Sequence, residues 1–250
     1  MPAPDLFNVL DSVDSTNNYA MGRIHAGLAS HGMAWFTTHQ TGGKGQRGKN
    51  WESEPGKNIA MSLVLEAIPY RSYGQFYLSA SMALACFDFF LAYAGDETKI
   101  KWPNDLYWRD RKAGGILIEN IYHGRDWKWA VAGVGFNINQ CSFDTVPGNP
   151  VSLKEITGRE FDVPELGKEL YHRMMDRVHG TGIKKPGELM EEYNEKLFKK
   201  NEKVRLKKEN MIFETVINGV NAQGQLLTTD VMDRKFDFGE VKWLSGDIGK

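Results

Sequence analysis

The sequence predicts an α+β fold, a mixed and mostly antiparallel sheet with helices, followed by a small all-β unit at the C-terminal end. Three observations carry this. Strand-like segments between Lys99 and Asn137 are joined by polar turns at Asp110-Arg111 and Gly124-Arg125, the spacing of an antiparallel meander. Helical stretches lie before and after these strands. Past Asn201 the pattern changes to short strands separated by turns, a unit too small to be stable alone.

Taken in order, Ser15-Thr16-Asn17 precede an amphipathic run (Tyr19, Ala20, Ile24, Leu28) and predict a capped helix ending near Gly27. Met33–Thr38 is a predicted strand. Gln40–Lys57 is rich in Gly and Lys and nearly devoid of apolar residues except Trp51, so it is a long polar loop of the kind that is usually functional. Asn58–Glu66 is a strand, and Tyr73–Tyr93 a helix apolar over most of its surface. Lys99–Trp102, Asp105–Trp108, Ile116–Tyr122 and Trp127–Asn137 form the meander; the last two are candidates for an exposed pairing edge. A Pro/Gly-containing loop at Cys141–Pro150 leads to helices at Pro164–Val178 and Pro186–Phe198, each opened by proline. Strands at Val204–Lys207, Ile212–Gly219, Leu226–Asp230, Lys235–Phe238 and Val241–Leu244 read as a small barrel, which puts a domain boundary at about residue 200.

The 250 residues hold 31 Lys+Arg against 32 Asp+Glu, so a formal net charge of −1 argues against a general nucleic-acid or membrane-surface binder. Apolar residues at 41% and charged residues at 25% exclude a disordered chain. Cys86 and Cys141 alone make no disulfide framework, and six scattered histidines have no metal-ligand spacing. The acidic N-terminus is not a secretory signal, and the apolar stretch Leu78–Ala94 falls slightly short of a bilayer span, so a soluble, cytoplasmic protein is expected.

Three stretches carry chemistry. Gly42-Gly43-Lys44-Gly45-Gln46-Arg47-Gly48-Lys49-Asn50-Trp51 matches G-x-G-x-x-G by letter and nearly matches a Walker A loop, but both need a following helix, and more loop follows instead. What survives is a set of exposed backbone N–H groups beside Lys44, Arg47 and Lys49, which favours an anion such as phosphate; a flexible solvated loop accounts for the same residues. In Lys101-Trp102-Pro103-Asn104-Asp105, the Asn and Asp offer a donor/acceptor pair and a carboxylate able to hold a cation or take a proton. Lys112, beside Gly114-Gly115, is placed to aim its ammonium into a pocket; simple turn formation is the alternative. Gly133 and Gly135 strip one side of a strand, which admits a flat ligand or another backbone, or marks a bulge.

In this order the stretches resemble the biotin protein ligases. The matching residues are Asp14-Ser15-Thr16-Asn17, Gln40 to Gly48, Trp51, Lys101 to Asp105, Lys112 to Leu117 and Gly133 to Asn139. The resemblance implies a class II synthetase-like catalytic domain over 1–200 and an SH3-like β-barrel over 201–250. It also implies two-step chemistry: biotin and ATP, with Mg²⁺, give biotinyl-5′-AMP and pyrophosphate, and a lysine of a biotin carboxyl carrier protein then takes the biotinyl group. By the same resemblance Ser15, Thr16, Asn17, Gln40, Gly43, Lys44, Gly45, Gln46, Lys112, Gly115 and Gly133 contact biotin. ATP or the adenylate is met by Lys44, Gln46, Arg47, Gly48, Trp51, Asn104, Lys112 and Asn137. Lys112, Arg47 and Asp105 are the implied catalytic residues, with Asp105 either a metal ligand or a base toward the acceptor lysine.

The cations make physical sense. Two anions must meet before a bond forms, and in a dry site their repulsion is several kcal/mol unless screened. A loop closing over the adenylate protects it from water, so the glycine-rich loop is expected to be mobile without ligand. Where relatives often read G-R-G-R-R-G, this chain has Lys44 and Gln46, losing one bidentate fork and one charge. Because the ligase motif begins at Asp14, no DNA-binding domain and no repressor activity are expected; a homodimer is compatible with the strands. The nearest rival is a lipoate ligase of the same fold. A nucleic-acid-binding module using Gly43–Lys49 and the basic run Lys199–Lys208 is the rival from another class.

Overall fold

The structure, a computed structural model, describes residues 6–143, 149–179 and 184–244. Part of the expected Cys141–Pro150 loop lies outside the described residues. The first sheet comprises β1 (Phe7–Leu10), β2 (Ala34–Thr37), β3 (Asn58–Glu66), β4 (Thr98–Lys101), β5 (Asp105–Trp108), β6 (Arg111–His123) and β7 (Asp126–Asn137). Their order is β1-β2-β3-β7-β6-β5-β4; β1 runs parallel to β2 and every other neighbour is antiparallel. The α+β, mostly antiparallel reading is therefore the architecture found. The β7 strand is paired on both sides, by β3 and β6, so it is not the open edge that its sequence allowed. In β6 only Arg111–Gly115 pairs with β5, which leaves the far half of that strand bonded to β7 alone among the described residues.

Side chains alternate across this sheet as a period of two requires. One face carries Phe36, Met61, Leu63, Ala132, Val134 and Phe136, packed under α2 (Gln75–Ala94), α3 (Leu153–Thr157), α4 (Val163–Val178) and α5 (Pro186–Glu195). The other face carries Trp35, Val64 and Val131 and is covered only in part, by Ala20 and its neighbours on α1 (Thr16–His25). The rest of that second face is where the functional cleft lies.

Local chemistry sets the helices. Ser15 sits in extended backbone and caps α1, whose last turn holds Arg23 and His25. Ser152 and Glu155 form a capping box on α3, and Pro164 and Pro186 stand in the first turns of α4 and α5. The α2 helix is 20 residues long and apolar enough to cross a membrane, longer than the stretch read from sequence. It is instead the central core helix: Leu78, Met82, Leu84, Phe89 and Phe90 are fully buried, each worth about 1.5–3 kcal/mol in removed apolar surface.

The second sheet holds β8 (Lys203–Lys208), β9 (Met211–Val220), β10 (Leu226–Thr229), β11 (Asp233–Phe236) and β12 (Lys242–Trp243), in the order β11-β10-β9-β8-β12. It is an open sheet with β11 and β12 at its edges, where sequence reasoning expected a small barrel. Specific bonds dock it on the first. Trp102 Nε1 donates to Gly224 O at 2.8 Å, and Asn194 accepts from Val220 N at 2.7 Å while donating to Val220 O at 2.9 Å. The docking brings the segment from Phe238 to Trp243 to the edge of the cleft.

Candidate active site

The cleft has a volume of about 510 Å³, and its floor is the half-covered sheet face. Register places Ser62, Gly133 and Leu117 in one row across β3, β7 and β6, and Ala60, Gly135 and Gly115 in the next. The glycines are there for space. A Cβ on Gly133 would stand 2.1 Å from Asn17 Oδ1, and one on Gly135 would stand 2.5 Å from Trp51 Cε2. The flat group admitted by the bare strand is thus the chain's own indole, laid against Gly135, with the Asn17 amide beside it. The Trp51 Nε1 is buried without a hydrogen-bond partner in a residue that lines the cleft.

The inner wall is a chain of polar atoms. Gln40 Oε1 accepts from Thr16 N at 2.9 Å and lies 3.2 Å from Thr16 Oγ1. Ser62 Oγ is 2.7 Å from Thr16 Oγ1 and 2.5 Å from Asn17 Oδ1. The Asn17 Nδ2 donates to Glu119 Oε2 at 2.8 Å and, more loosely, to Leu117 O at 3.4 Å.

The loop over the cleft folds on itself as a flap. Lys44 bridges Asn50, Gly45 N donates to Lys49 O at 2.7 Å, and Trp51 N donates to Gly43 O at 2.9 Å. A Cβ on Gly43 would meet Trp51 O at 2.3 Å and Gln40 Nε2 at 2.5 Å, so that glycine is required by close approach. A single 3-10 turn, Gln46–Gly48, holds Arg47 at a left-handed φ of 57°. No long helix follows, which agrees with setting aside the dinucleotide and Walker readings. The Arg47 guanidinium donates to Gly239 O at 3.0 Å and stands 5.6 Å from the centre of the Phe238 ring, while Lys44 Nζ donates to Asn18 Oδ1 at 2.5 Å.

At the other end, Lys112 Nζ lies 2.7 Å from Asp105 Oδ1. Gly115 makes room for that pair: a Cβ there would be 3.0 Å from Asp105 Oδ1 and 3.4 Å from Lys112 Nζ. The start of β6 is held by Asn149 O, which accepts from Lys112 N at 2.8 Å, and by Val151 N, which donates to Lys112 O at 2.9 Å.

Most of the sequence-predicted residues meet here: Ser15, Thr16, Asn17, Gln40, Lys44, Gly45, Gln46, Arg47, Trp51, Asn104, Asp105, Lys112, Gly115 and Gly133 all line the cleft. Gly43, Gly48 and Asn137 do not. Asn137 is buried, and its amide donates to Val151 O at 3.2 Å, bracing the segment that carries Lys112. Asn104 lines the cleft, yet its Nδ2 donates to Ile116 O, and that backbone pairing occupies the group proposed for ATP.

Sequence reasoning missed Lys101, which it quoted but did not single out. Its ammonium lies 4.3 Å from the centre of the Tyr107 ring, 5.2 Å from Trp243 and 5.5 Å from Phe198, and burial pushes its pKa down to about 8. Two of those rings come from beyond residue 195, so nothing near Lys101 in the sequence announces the cage. The cleft counts Lys44, Arg47, Lys49, Lys101, Lys112 and Lys242 against one carboxylate, Asp105, and so favours anions strongly. Among the described residues no three His, Cys, Asp or Glu side chains are grouped to hold a metal. One carboxylate fits Mg²⁺ only as an ion carried in on substrate phosphates, since that ion typically takes one or two carboxylates plus phosphate and water.

A sequence model of the biotin/lipoate A/B protein ligase family matches residues 9–137, which hold β2 to β7 and the whole floor of the cleft. The chain belongs to this family. Among relatives, the bifunctional ligase/repressor BirA of Escherichia coli is 36% identical over 132 residues, covering 52% of this chain and 40% of that protein. A biotin--[acetyl-CoA-carboxylase] ligase of Paracoccus denitrificans is 33% identical over 165 residues, covering 63% of this chain and 67% of that one. The chain thus spans less than half of the first relative and two thirds of the second. Biotin protein ligase from Aquifex aeolicus in complex with biotin and ATP superposes with a TM-score of 0.79 at 24% identity, over 96% of this chain and 99% of that one. At that identity the likeness establishes a shared fold.

Proposed function

We propose that this family member is a biotin protein ligase, activating biotin with ATP and transferring it to a lysine of a biotin carboxyl carrier protein. The observation that carries the proposal is the polarity of one cleft: neutral hydrogen-bonding oxygens of Thr16, Asn17 and Gln40 at its inner wall, and Lys112 and Arg47 on its lining. Biotin matches both, with a ureido ring for the first and a carboxylate for the second.

In the first step a biotin carboxylate oxygen attacks the α-phosphorus of ATP and the bond to the β-phosphate oxygen breaks, releasing pyrophosphate. Lys112 neutralises the two approaching anions, and Arg47 leaves Gly239 O to hold phosphate charge from the flap. Asp105 is the residue that would hold a Mg²⁺ ion brought by ATP, and such an ion would supply further screening of the phosphate charge. In the second step the acceptor amine attacks the acyl carbon and AMP departs with the bonding pair. An unperturbed lysine has a pKa of about 10.4 and is mostly protonated, so Asp105 orients that ammonium and takes its proton. Trp51, laid against Gly135, walls the adenylate in this reading, and its buried Nε1 has no hydrogen-bond partner among the described residues.

Residues 1–200 form the catalytic domain in this reading, and 201–250 a small all-β unit whose open sheet lends Phe238 and Trp243 to the nucleotide side. The outer half of β6, bonded on one side only among the described residues, supports homodimer formation by strand pairing. A cytoplasmic location without DNA or membrane binding fits the near-zero net charge. Isotope exchange between ATP and pyrophosphate tests the assignment: it should require biotin and be unaffected by lipoate, and exchange driven by lipoate would replace it with the lipoate ligase reading.

A further inference from the structure

We propose that Asn18, oriented by Asp14, is the catch for the flap: it grips the Lys44 ammonium and keeps the flap down over the adenylate while Arg47 changes partners. Asn18 and Asp14 are positioning residues, acting through Lys44. The inference rests on the biotin ligase reading and deepens it.

The need for a catch comes from Arg47. Two side chains of the flap's turn bond outside it, Arg47 to Gly239 O at 3.0 Å and Lys44 to Asn18 Oδ1 at 2.5 Å. The first bond is given up when Arg47 turns to phosphate, so it cannot retain the flap through the reaction. The second has no such conflict, because the Lys44 ammonium is already engaged by α1. Its side chain therefore fastens the flap, a role different from the substrate contact that the resemblance implies.

The amide that receives it stands between opposite charges. Asn18 Nδ2 donates to Asp14 Oδ2 at 2.7 Å, and Oδ1 on the other side accepts from Lys44. A flipped amide would aim its N–H groups at an ammonium and its oxygen at a carboxylate, so both neighbours fix one orientation. Donation by Asn18 and by the Ser15 backbone N–H holds the Asp14 carboxyl below the usual carboxylate range, and the anchor stays ionised at neutral pH. The base of the catch is also the root of the flap: Asp14 O accepts from Gly42 N at 2.7 Å, and Val13 O from Thr41 N at 3.0 Å. Asn18 lies in the first turn of α1, directly after Thr16 and Asn17, which line the cleft. One helical turn thus meets the ligand and fastens the cover above it.

The test is Asn18→Ala in the full chain, a change at a residue that does not itself line the cleft. Biotinyl-AMP formed on the protein from biotin and ATP, then chased, should leave about three- to tenfold faster, the factor for one solvent-open charge-assisted bond. The kcat of ATP–pyrophosphate exchange should stay within about twofold. Trypsin cleavage after Arg47 and Lys49 in the adenylate-loaded protein should quicken by the same factor as release. Lys44→Met should give both changes, and adding Asn18→Ala to it should give no more. Exchanging the partners, Asp14→Asn together with Asn18→Asp, rebuilds the relay with the carboxylate next to Lys44. That variant should return release and cleavage to within about twofold of wild type, a rescue that a merely structural role would not produce. Release and cleavage unchanged in Asn18→Ala would overturn the inference and leave the ligase reading intact. So would Lys44→Met raising release as much in the Asn18→Ala background as in the wild type, or an exchanged pair that folds yet releases as fast as Lys44→Met. A wild-type chain that forms no biotinyl-AMP would overturn both.

Discussion

Gly133→Ala concentrates the argument about the cleft floor in one methyl group. The added Cβ would stand 2.1 Å from Asn17 Oδ1, some 1.3 Å inside the 3.4 Å at which ordinary contact begins. The backbone of β7 is paired on both sides and cannot retreat, so the Asn17 side chain has to leave. It gives up a charge-assisted bond to Glu119 and a neutral one to Ser62. Such bonds are worth about 1.5–3 and about 0.5–1.5 kcal/mol, so the variant should lose roughly 2–4 kcal/mol of stability. In a chain of this length each kcal/mol moves Tm by about 2–4 °C, giving a drop of very roughly 4–16 °C by calorimetry. Biotin affinity should fall at least about tenfold, since the ligand loses Asn17 Oδ1 as well. The decisive control is the cycle with Asn17→Ala: once the amide is absent, Gly133→Ala should cost less than about 1 kcal/mol. Equal costs in the two backgrounds would refute the claim that the glycine exists to admit that side chain.

Three further outcomes follow from the same geometry. Lys112→Gln should lower biotin-dependent exchange by about 10²- to 10³-fold while Tm stays within about 2 °C, because the ammonium screens two reacting anions but is only partly buried in the fold; normal pyrophosphate release would remove it from the mechanism. Gln46→Arg should slow release of biotinyl-AMP by about five- to thirtyfold, equivalent to 1–2 kcal/mol for a charge-assisted contact, and an unchanged release rate would contradict the role given to the flap. Lys101 has a pKa of about 8 in the folded chain against 10.5 for an ordinary lysine. Between those values the unfolded chain binds the extra proton, so stability rises with pH in that window and the penalty is fully present below it. Wild-type stability should therefore gain on that of Lys101→Met from pH 8 to pH 10.5, and a pH-independent difference would contradict the burial argument.

Much of the fold was legible because it rests on local pattern. Asn58–Glu66 was read with the bounds it has, since a nine-residue apolar run ending in Glu has no other plausible form. The meander followed from its turns. Where reading stopped short, a long-range partner was responsible. The β6 strand begins at Arg111 and not Ile116, because Gly114 and Gly115 look like turn residues. Gly114 is in fact needed for packing, with a Cβ there landing 2.2 Å from Phe136 Cδ1. Phe7–Leu10 is a short edge strand defined by its parallel partner, and Leu153–Thr157 is a helix of one turn set by its capping box. Neither has enough residues to show a period.

The site divides in the same way. Its loop glycines and Lys112 were visible as motifs that put charge beside bare backbone. Lys101, Ser62 and Glu119 were not, because each acquires its character from residues distant in the chain: Trp243 over the first, Asn17 against the other two. A lysine between two apolar strand residues has no signature until its cage is assembled.

A crystal structure of the protein grown with biotin and ATP tests the central claim most directly. The account requires the ureido ring against Thr16, Asn17 and Gln40, the activated carboxyl within reach of Lys112 Nζ, and Arg47 turned from Gly239 O toward phosphate oxygens. Biotin and nucleotide bound outside this cleft, or biotin reversed within it so that its carboxyl meets Asn17, would contradict it.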